Sequence, residues 1–252
     1  MAVAERIEPS VEALGDLRWP DLDRPEPDSP ERDSPDLGSG ARSLLVVPLG
    51  ATEQHGPHLP LSTDTDLAVA LARELAARRG DAVVAPALPY GSSGEHQAFP
   101  GTLSIGRAAL ELLAVELCRS ATAHFAHVLL VSGHGGNHDA ARAAVDTLRS
   151  EARDVRLWSP SWRGDPHAGR TETSLMLWLA PLRVRPELAQ AGNTTPLTQL
   201  MAGLRGGRLR ELAPNGVLGD PTGASAEEGR QAFQDLVNDL AADVGVWRGS
   251  AP

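Results

Sequence analysis

The sequence predicts an α/β protein built on a mainly parallel, layered sheet, and three observations predict it. Four short apolar runs, Leu44–Leu49, Ala82–Ala85, His127–Val131 and Val155–Trp158, read as buried strands. Between them lie stretches with helical spacing, and alternation of this kind implies parallel pairing through helical crossovers. Two of the runs break abruptly into glycine-bearing polar stretches, Gly50–Asp64 and Ser132–His138, as a strand does when it opens into a loop and the next helix. A length of 252 residues suits one large domain.

Taken in order, residues 1–19 are an N-terminal segment with a short helix expected over Val11–Leu17, ending at Trp19-Pro20. Residues 20–41 are rich in Asp, Pro, Ser and Gly, with almost nothing apolar to bury, and read as a flexible insertion. A single domain is expected over 42–252. Leu67, Leu71 and Leu75 recur every four residues, predicting a helix over Asp66–Arg79, with Asp64 or Thr65 as its cap and Gly80 closing it. Pro86–Gly101 is a long loop of the kind that often carries function. Leu103–Ile105 reads as another short strand, and Arg107–Ala123 and Asn137–Glu151 as helices. A further helix is expected at Leu175–Leu179, whereas Pro181–Gly223 shows little periodicity. Ser225-Ala226-Glu227-Glu228 is a capping-box pattern, and Phe233, Leu236, Val237, Leu240 and Val244 make the apolar stripe of the last helix.

Composition excludes several functions. The net charge of −10 speaks against nucleic acid, which needs a basic face. All 23 basic residues are arginine, so Schiff-base chemistry and a Walker-type phosphate loop, which need a lysine amine, are ruled out. No apolar run reaches the length of a membrane span, and Met1–Ser10 lacks the pattern of a signal peptide, so a cytoplasmic protein is expected. Cys118 is the only cysteine, leaving histidines and carboxylates to hold any metal.

Three clusters of such residues stand at strand ends or helix starts: Glu53, His55 and Asp64; His134; and His167 with Glu172. Glu53 and His55 are two apart, so an extended backbone sends both side chains to one face. A His/carboxylate set without sulfur suits zinc, iron or manganese at a hydrolytic centre. So many donors, carboxylates among them, exceed what one catalytic zinc with an open position takes, and fit two divalent ions sharing a carboxylate.

Gly50-Ala51-Thr52-Glu53-Gln54-His55-Gly56-Pro57-His58-Leu59-Pro60-Leu61 through Asp64, Gly133-His134-Gly135-Gly136-Asn137, and His167-Ala168-Gly169 with Glu172-Thr173-Ser174 resemble the creatininase, or creatinine amidohydrolase, family. The resemblance spans roughly Leu44 to Trp247. Gly94–Thr102, Gly192–Leu197 and Pro214–Thr222 are similar to the branch of that family attached to mycofactocin biosynthesis.

The resemblance implies a three-layer α/β/α sandwich and a homo-oligomer, hexamers being common in the family. It implies metal ligands at Glu53, His55, Asp64, His134 and Glu172, with Asp64 bridging, and a proton-transfer role for His167. It implies a peptidase releasing the C-terminal Val-Tyr-derived portion of a modified precursor peptide. Alternative expectations are an amidohydrolase acting on a small cyclic amide or formamide, and a non-catalytic metal-containing scaffold. Ser92, Ser93 and His96 are expected to border the pocket. His58 has no ligand counterpart and is expected to shape the rim or pack beneath the site. In one departure, creatininase itself has a glutamate two residues after the matching histidine where this chain has Gly136, which is expected to make room for a bulkier peptide end. The tryptophans that shape the creatininase pocket are not carried over to Trp158 or Trp162.

Overall fold

The strands β1 (Leu44–Leu49), β2 (Ala82–Val84), β3 (His127–Ser132) and β4 (Val155–Trp158) form one parallel sheet in the order β2-β1-β3-β4. The structure is a computed structural model that describes residues 11–22, 43–161 and 164–249. Its helices are α1 (Thr63–Ala77), α2 (Gly106–Ala121), α3 (His138–Ser150), α4 (Arg170–Leu179), α5 (Leu197–Arg205), α6 (Leu209–Leu212) and α7 (Ala226–Trp247).

Alternation along the strands sorts the core into two halves. Leu44, Val46, Leu129 and Val131 face α1, α4 and α7, while Leu45, Val47, Leu49, Val128 and Leu130 face α2 and α3. Both faces of the sheet are therefore covered, which is why the strands read as continuous apolar runs. This is the expected three-layer α/β/α sandwich. The stripe of α7 holds as predicted: Phe233, Val237, Leu240 and Val244 are buried, each worth about 1.5–3 kcal/mol.

The Ser225 hydroxyl accepts from the Glu228 N–H at 3.2 Å, as a capping box requires. Glu228 does not return the bond. Its carboxylate takes Arg170 and the Ser174 hydroxyl instead, and the Ser225 N–H donates to that hydroxyl at 3.1 Å. The start of α7 is thereby fastened to the first turns of α4.

Several boundaries differ from expectation. Helix α1 starts three residues earlier than Asp66, with Ser62 at the N-cap position, and neither Asp64 nor Thr65 caps it. Helix α4 begins at Arg170, and α5 and α6 fall in the stretch that lacked periodicity. Leu103–Ile105 makes only an isolated antiparallel bridge between Thr52 and Leu103. Val11–Leu17 contains a 3-10 turn, Leu14–Asp16, followed by another at Trp19–Leu22. Most of the 20–41 insertion lies outside the described residues, as does Trp162. No helix among the described residues is long and apolar enough to cross a membrane.

Candidate metal centre

From β1 the chain runs to β2 on one side, and β3 lies on the other, so a crevice opens at the carboxyl ends of β1 and β3, where α/β sheets take their ligands. Two glycines let α1 close that crevice. A Cβ on Gly50 would fall 2.2 Å from the Thr65 hydroxyl, and one on Gly133 would fall 2.2 Å from the Asp64 carbonyl oxygen. With no side chain at either strand end, the first turn of α1 rests on both. Asp64 is thereby set between the residues that follow β1 and the one that follows β3.

Asp64 Oδ1 lies 3.1 Å from His55 Nε2 and its Oδ2 lies 3.3 Å from His134 Nδ1, so one carboxylate faces two histidines. Glu53 Oε2 is 3.2 Å from His134 Nε2, and Glu172 Oε2 is 4.0 Å from His55 Nε2. Glu172 sits in the first turn of α4, where one oxygen accepts from the Ala168 N–H at 2.6 Å. An antiparallel pair of bonds between His167 and Leu218 holds the strand-like approach to that helix. Glu53, Asp64 and His134 thus form one group with the spacing of a metal site, and His55, Asp64 and Glu172 form a second, Asp64 belonging to both. Glu53, His55 and His167 form a third.

The donor atoms fit a cation. Both oxygens of Glu53 and Oδ2 of Asp64 are buried without a hydrogen-bond partner, although Glu53 is wholly inaccessible. An unpaired buried charge is expensive, and ions within these groups would satisfy all three atoms. Burial holds the Glu53 carboxyl well above its usual range, with His134 opposing. Burial works against a charged His55 too, but the charge and hydrogen bond of Asp64, with Glu172 and Glu53, raise it to about 10. His167 is held well below the ordinary histidine range by burial and by His55, and His96 falls to about 2 through burial and the charges of His134 and His55.

The site opens into a cavity of about 840 Å³. Asp64, His134, His167 and Glu172 line it, while Glu53 and His55 lie beneath the surface of its floor. Of the loop residues expected at the pocket, Ser92 and His96 line it, but Ser93 is fully buried and does not. His58 packs beneath, its Nε2 2.9 Å from the Thr173 hydroxyl, and burial lowers its pKa to about 4. Trp158 is a core residue whose indole N–H donates to Asp239 at 3.2 Å. At Gly136 a Cβ would meet His134 Nε2 at 2.4 Å, the Ser92 carbonyl oxygen at 2.5 Å and Glu95 Oε1 at 2.7 Å. Gly136 lines the cavity, and the room its missing side chain leaves borders the loop before α2.

Two residues inside the quoted motifs carry structural roles that sequence reading missed. Gln54 is a hub: its amide nitrogen lies 3.0 Å from His96 Nδ1, from His167 Nε2 and from the Gly216 carbonyl, and its oxygen accepts from the Gly56 N–H. Asn137 donates to the Gly50 carbonyl at 2.9 Å and accepts from the Ser92 N–H at 2.8 Å, tying the loop to the end of β1. Both sit beside a histidine in a strand-end motif, and that adjacency was the only available signal.

Fold and site together define a metal-dependent hydrolase of the α/β class. The creatininase family (creatinine amidohydrolase) matches residues 31–244, and the chain belongs to it. It is 47% identical over 230 residues to the mycofactocin precursor peptide peptidase of Mycobacterium tuberculosis, covering 84% of this chain and 91% of that one. It is 48% identical over 212 residues to the protein of the same name from Mycolicibacterium smegmatis, covering 81% and 85%. The crystal structure of a creatinine amidohydrolase (creatininase) superposes with a TM-score of 0.73 at 24% identity, over 96% of this chain and 99% of that one, which speaks to the fold.

Proposed function

We propose that the protein is a metal-dependent peptidase that hydrolyses an amide bond of the mycofactocin precursor peptide, releasing its modified C-terminal, Val-Tyr-derived portion. One observation carries the reading beyond the relatives' name. The two metal-type groups that share Asp64 lie at the floor of a cavity of about 840 Å³, a volume that accommodates the end of a peptide and far exceeds what a small cyclic amide or formamide fills.

Glu53, Asp64 and His134 would hold one divalent ion and His55, Asp64 and Glu172 the other, zinc, iron and manganese all suiting these donors. When bound, such ions would supply Lewis-acid chemistry, making a water nucleophilic near neutral pH and polarising the scissile carbonyl. The chain's own part is to place the peptide and move protons. His167 Nε2 lies 2.9 Å from the Gln54 carbonyl oxygen and 3.0 Å from the Gln54 amide nitrogen, and a proton carried on Nε2 toward that carbonyl leaves Nδ1 free on the Glu53 side. Neutral His167 takes the proton of the attacking water at Nδ1 and returns it to the departing nitrogen. Arg107 and Arg205 line the cavity; Arg107 makes an exposed ion pair with Asp139 at 3.9 Å, whereas Arg205 has no ion pair among the described residues. Arg205 is therefore the guanidinium available to a peptide oxygen. A cytoplasmic homo-oligomer, in keeping with the family, is part of the reading, and light scattering on the purified protein tests the assembly.

The deciding experiment incubates metal-loaded protein with the modified precursor peptide and, separately, with creatinine, following products by mass spectrometry. Cleavage of the peptide is expected, and turnover of creatinine alone refutes the peptidase assignment. His167→Ala is expected to keep two equivalents of metal and lose cleavage. An unimpaired variant would favour a scaffold, and loss of one equivalent would make His167 a ligand instead.

A further inference from the structure

The loop between β2 and α2 is folded inward over the strand ends. Asn137 grips the Ser92 N–H, so the 3-10 turn Gly94–His96 hangs above His134. From this turn His96 points down, its Nε2 3.2 Å from Glu53 Oε1. The adjacent Glu95 faces His134 from the cavity side, with Oε1 3.8 Å from Nε2 and a side chain 27% exposed.

Nothing basic other than that histidine explains Glu95. Its ion pair with His134 is the only one it makes among the described residues, and the arginine nearest in sequence on the cavity wall, Arg107, is engaged with Asp139. His134 already faces the buried carboxylates of Glu53 and Asp64. Glu95 thus adds a third carboxylate around one ring, an arrangement that a cation among them would also hold together. Position 136 agrees as well, because a Cβ there would lie 2.7 Å from Glu95 Oε1. A side chain at 136 would displace the Glu95 carboxylate from its present position, and this chain has the glycine.

We propose that Glu95 is a further carboxylate of the metal centre, holding the ion of the Glu53, Asp64 and His134 group from its solvent side, in place of the side chain that Gly136 lacks. The loop before α2 thereby becomes part of the metal site, and the ion on the His134 side is the one that senses its position. This inference rests on the two-ion reading above.

The test is calorimetric titration of chelator-stripped, full-length protein with Zn²⁺ and, separately, Mn²⁺, for the unmodified chain, Glu95→Gln and Glu95→Asp. The unmodified chain is expected to bind two equivalents. Glu95→Gln should weaken one of them by at least about tenfold and leave the other in place, with Glu95→Asp intermediate. Metal-free melting temperatures of the three proteins are expected to coincide, since Glu95 is partly exposed, and they separate loss of a ligand from loss of fold. Superimposable isotherms for the unmodified chain and Glu95→Gln overturn the role of Glu95 while leaving the two-ion reading intact, and equal weakening of both equivalents overturns it too. Failure of the unmodified chain to bind two equivalents overturns both.

Discussion

Asp64→Asn gives the sharpest test of how the two halves of the site are joined. Asparagine keeps the shape of the residue and an acceptor for His55 Nε2, now 3.1 Å from Oδ1, and its amide nitrogen can donate to His134 Nδ1, now 3.3 Å from Oδ2. What it removes is the negative charge between the two groups. The metal-free variant should fold but melt somewhat lower, because against the cost of burial His55, His134 and His96 hold the Asp64 carboxylate below its usual range, so its charge is stabilising there. Its metal response should vanish. An ion at 100 times its Kd adds about 2.7 kcal/mol to stability, or roughly 5.4 for two. At about 2–4 °C of Tm per kcal/mol in a chain of this size, the unmodified protein should gain roughly 11–22 °C on loading. Asp64 belongs to both groups and Glu172 to one, so Asp64→Asn should lose nearly the whole gain and both equivalents, whereas Glu172→Gln should lose about half and one equivalent. Thermal melts with and without metal, paired with elemental analysis after gel filtration, measure both quantities. Two equivalents and a full gain in Asp64→Asn would refute the bridging role.

Three further outcomes follow from the geometry. Gly133→Ala, whose Cβ would sit 2.2 Å from the Asp64 carbonyl oxygen, should push the first turn of α1 away from β3. A cost of about 1–3 kcal/mol is expected by thermal melt, with weaker metal binding by titration. Arg205→Ala should raise KM for the precursor peptide about tenfold and leave kcat nearly unchanged, since it binds substrate without touching the reacting bond; steady-state kinetics read the split. Asp81, far from the site, tests the electrostatics of the fold. Burial pushes its carboxyl up, but Arg79, Arg248 and Ser43 pull it from 3.8 down to about 2. Its stabilisation is therefore complete above about pH 4 and lost as the pH falls toward 2. Asp81→Asn should cost about 1–2 kcal/mol at neutral pH after solvent screening, a difference from the unmodified protein that denaturation titrations should find closing at pH 2.

Much of the fold was legible because its signals are local. Continuous apolar runs mark strands covered on both faces, four-residue leucine spacing marks α1, and Ser225 with Glu228 marks the start of α7. The missed elements lack such marks. Helices α5 and α6 pack against each other and a small apolar cluster apart from the sheet, so their burial pattern follows no long stripe. Asp64 looked like a helix cap because a carboxylate before a helical stretch usually is one. It lies inside the helix instead, its carboxylate taken by His55 and His134.

By itself the sequence determined which residue types were available and where they stood in the chain. With Cys118 the sole cysteine and no lysine, only histidines and carboxylates could serve a metal, and they stood at strand ends and helix starts. Which atoms meet was decided only in three dimensions. Asp64 follows the strand-end loop of β1, yet its two oxygens face histidines from different loops, because Gly50 and Gly133 let α1 rest on two strand ends at once. Likewise the neighbours of Gly136 come from a loop some forty residues earlier in sequence (Glu95 among its residues), which the order of the chain does not show. Short-range sequence patterns record periodicity and turns, whereas the convergence of Glu53, His55, Asp64, His134 and Glu172 depends on helix–sheet packing distances that no local pattern encodes.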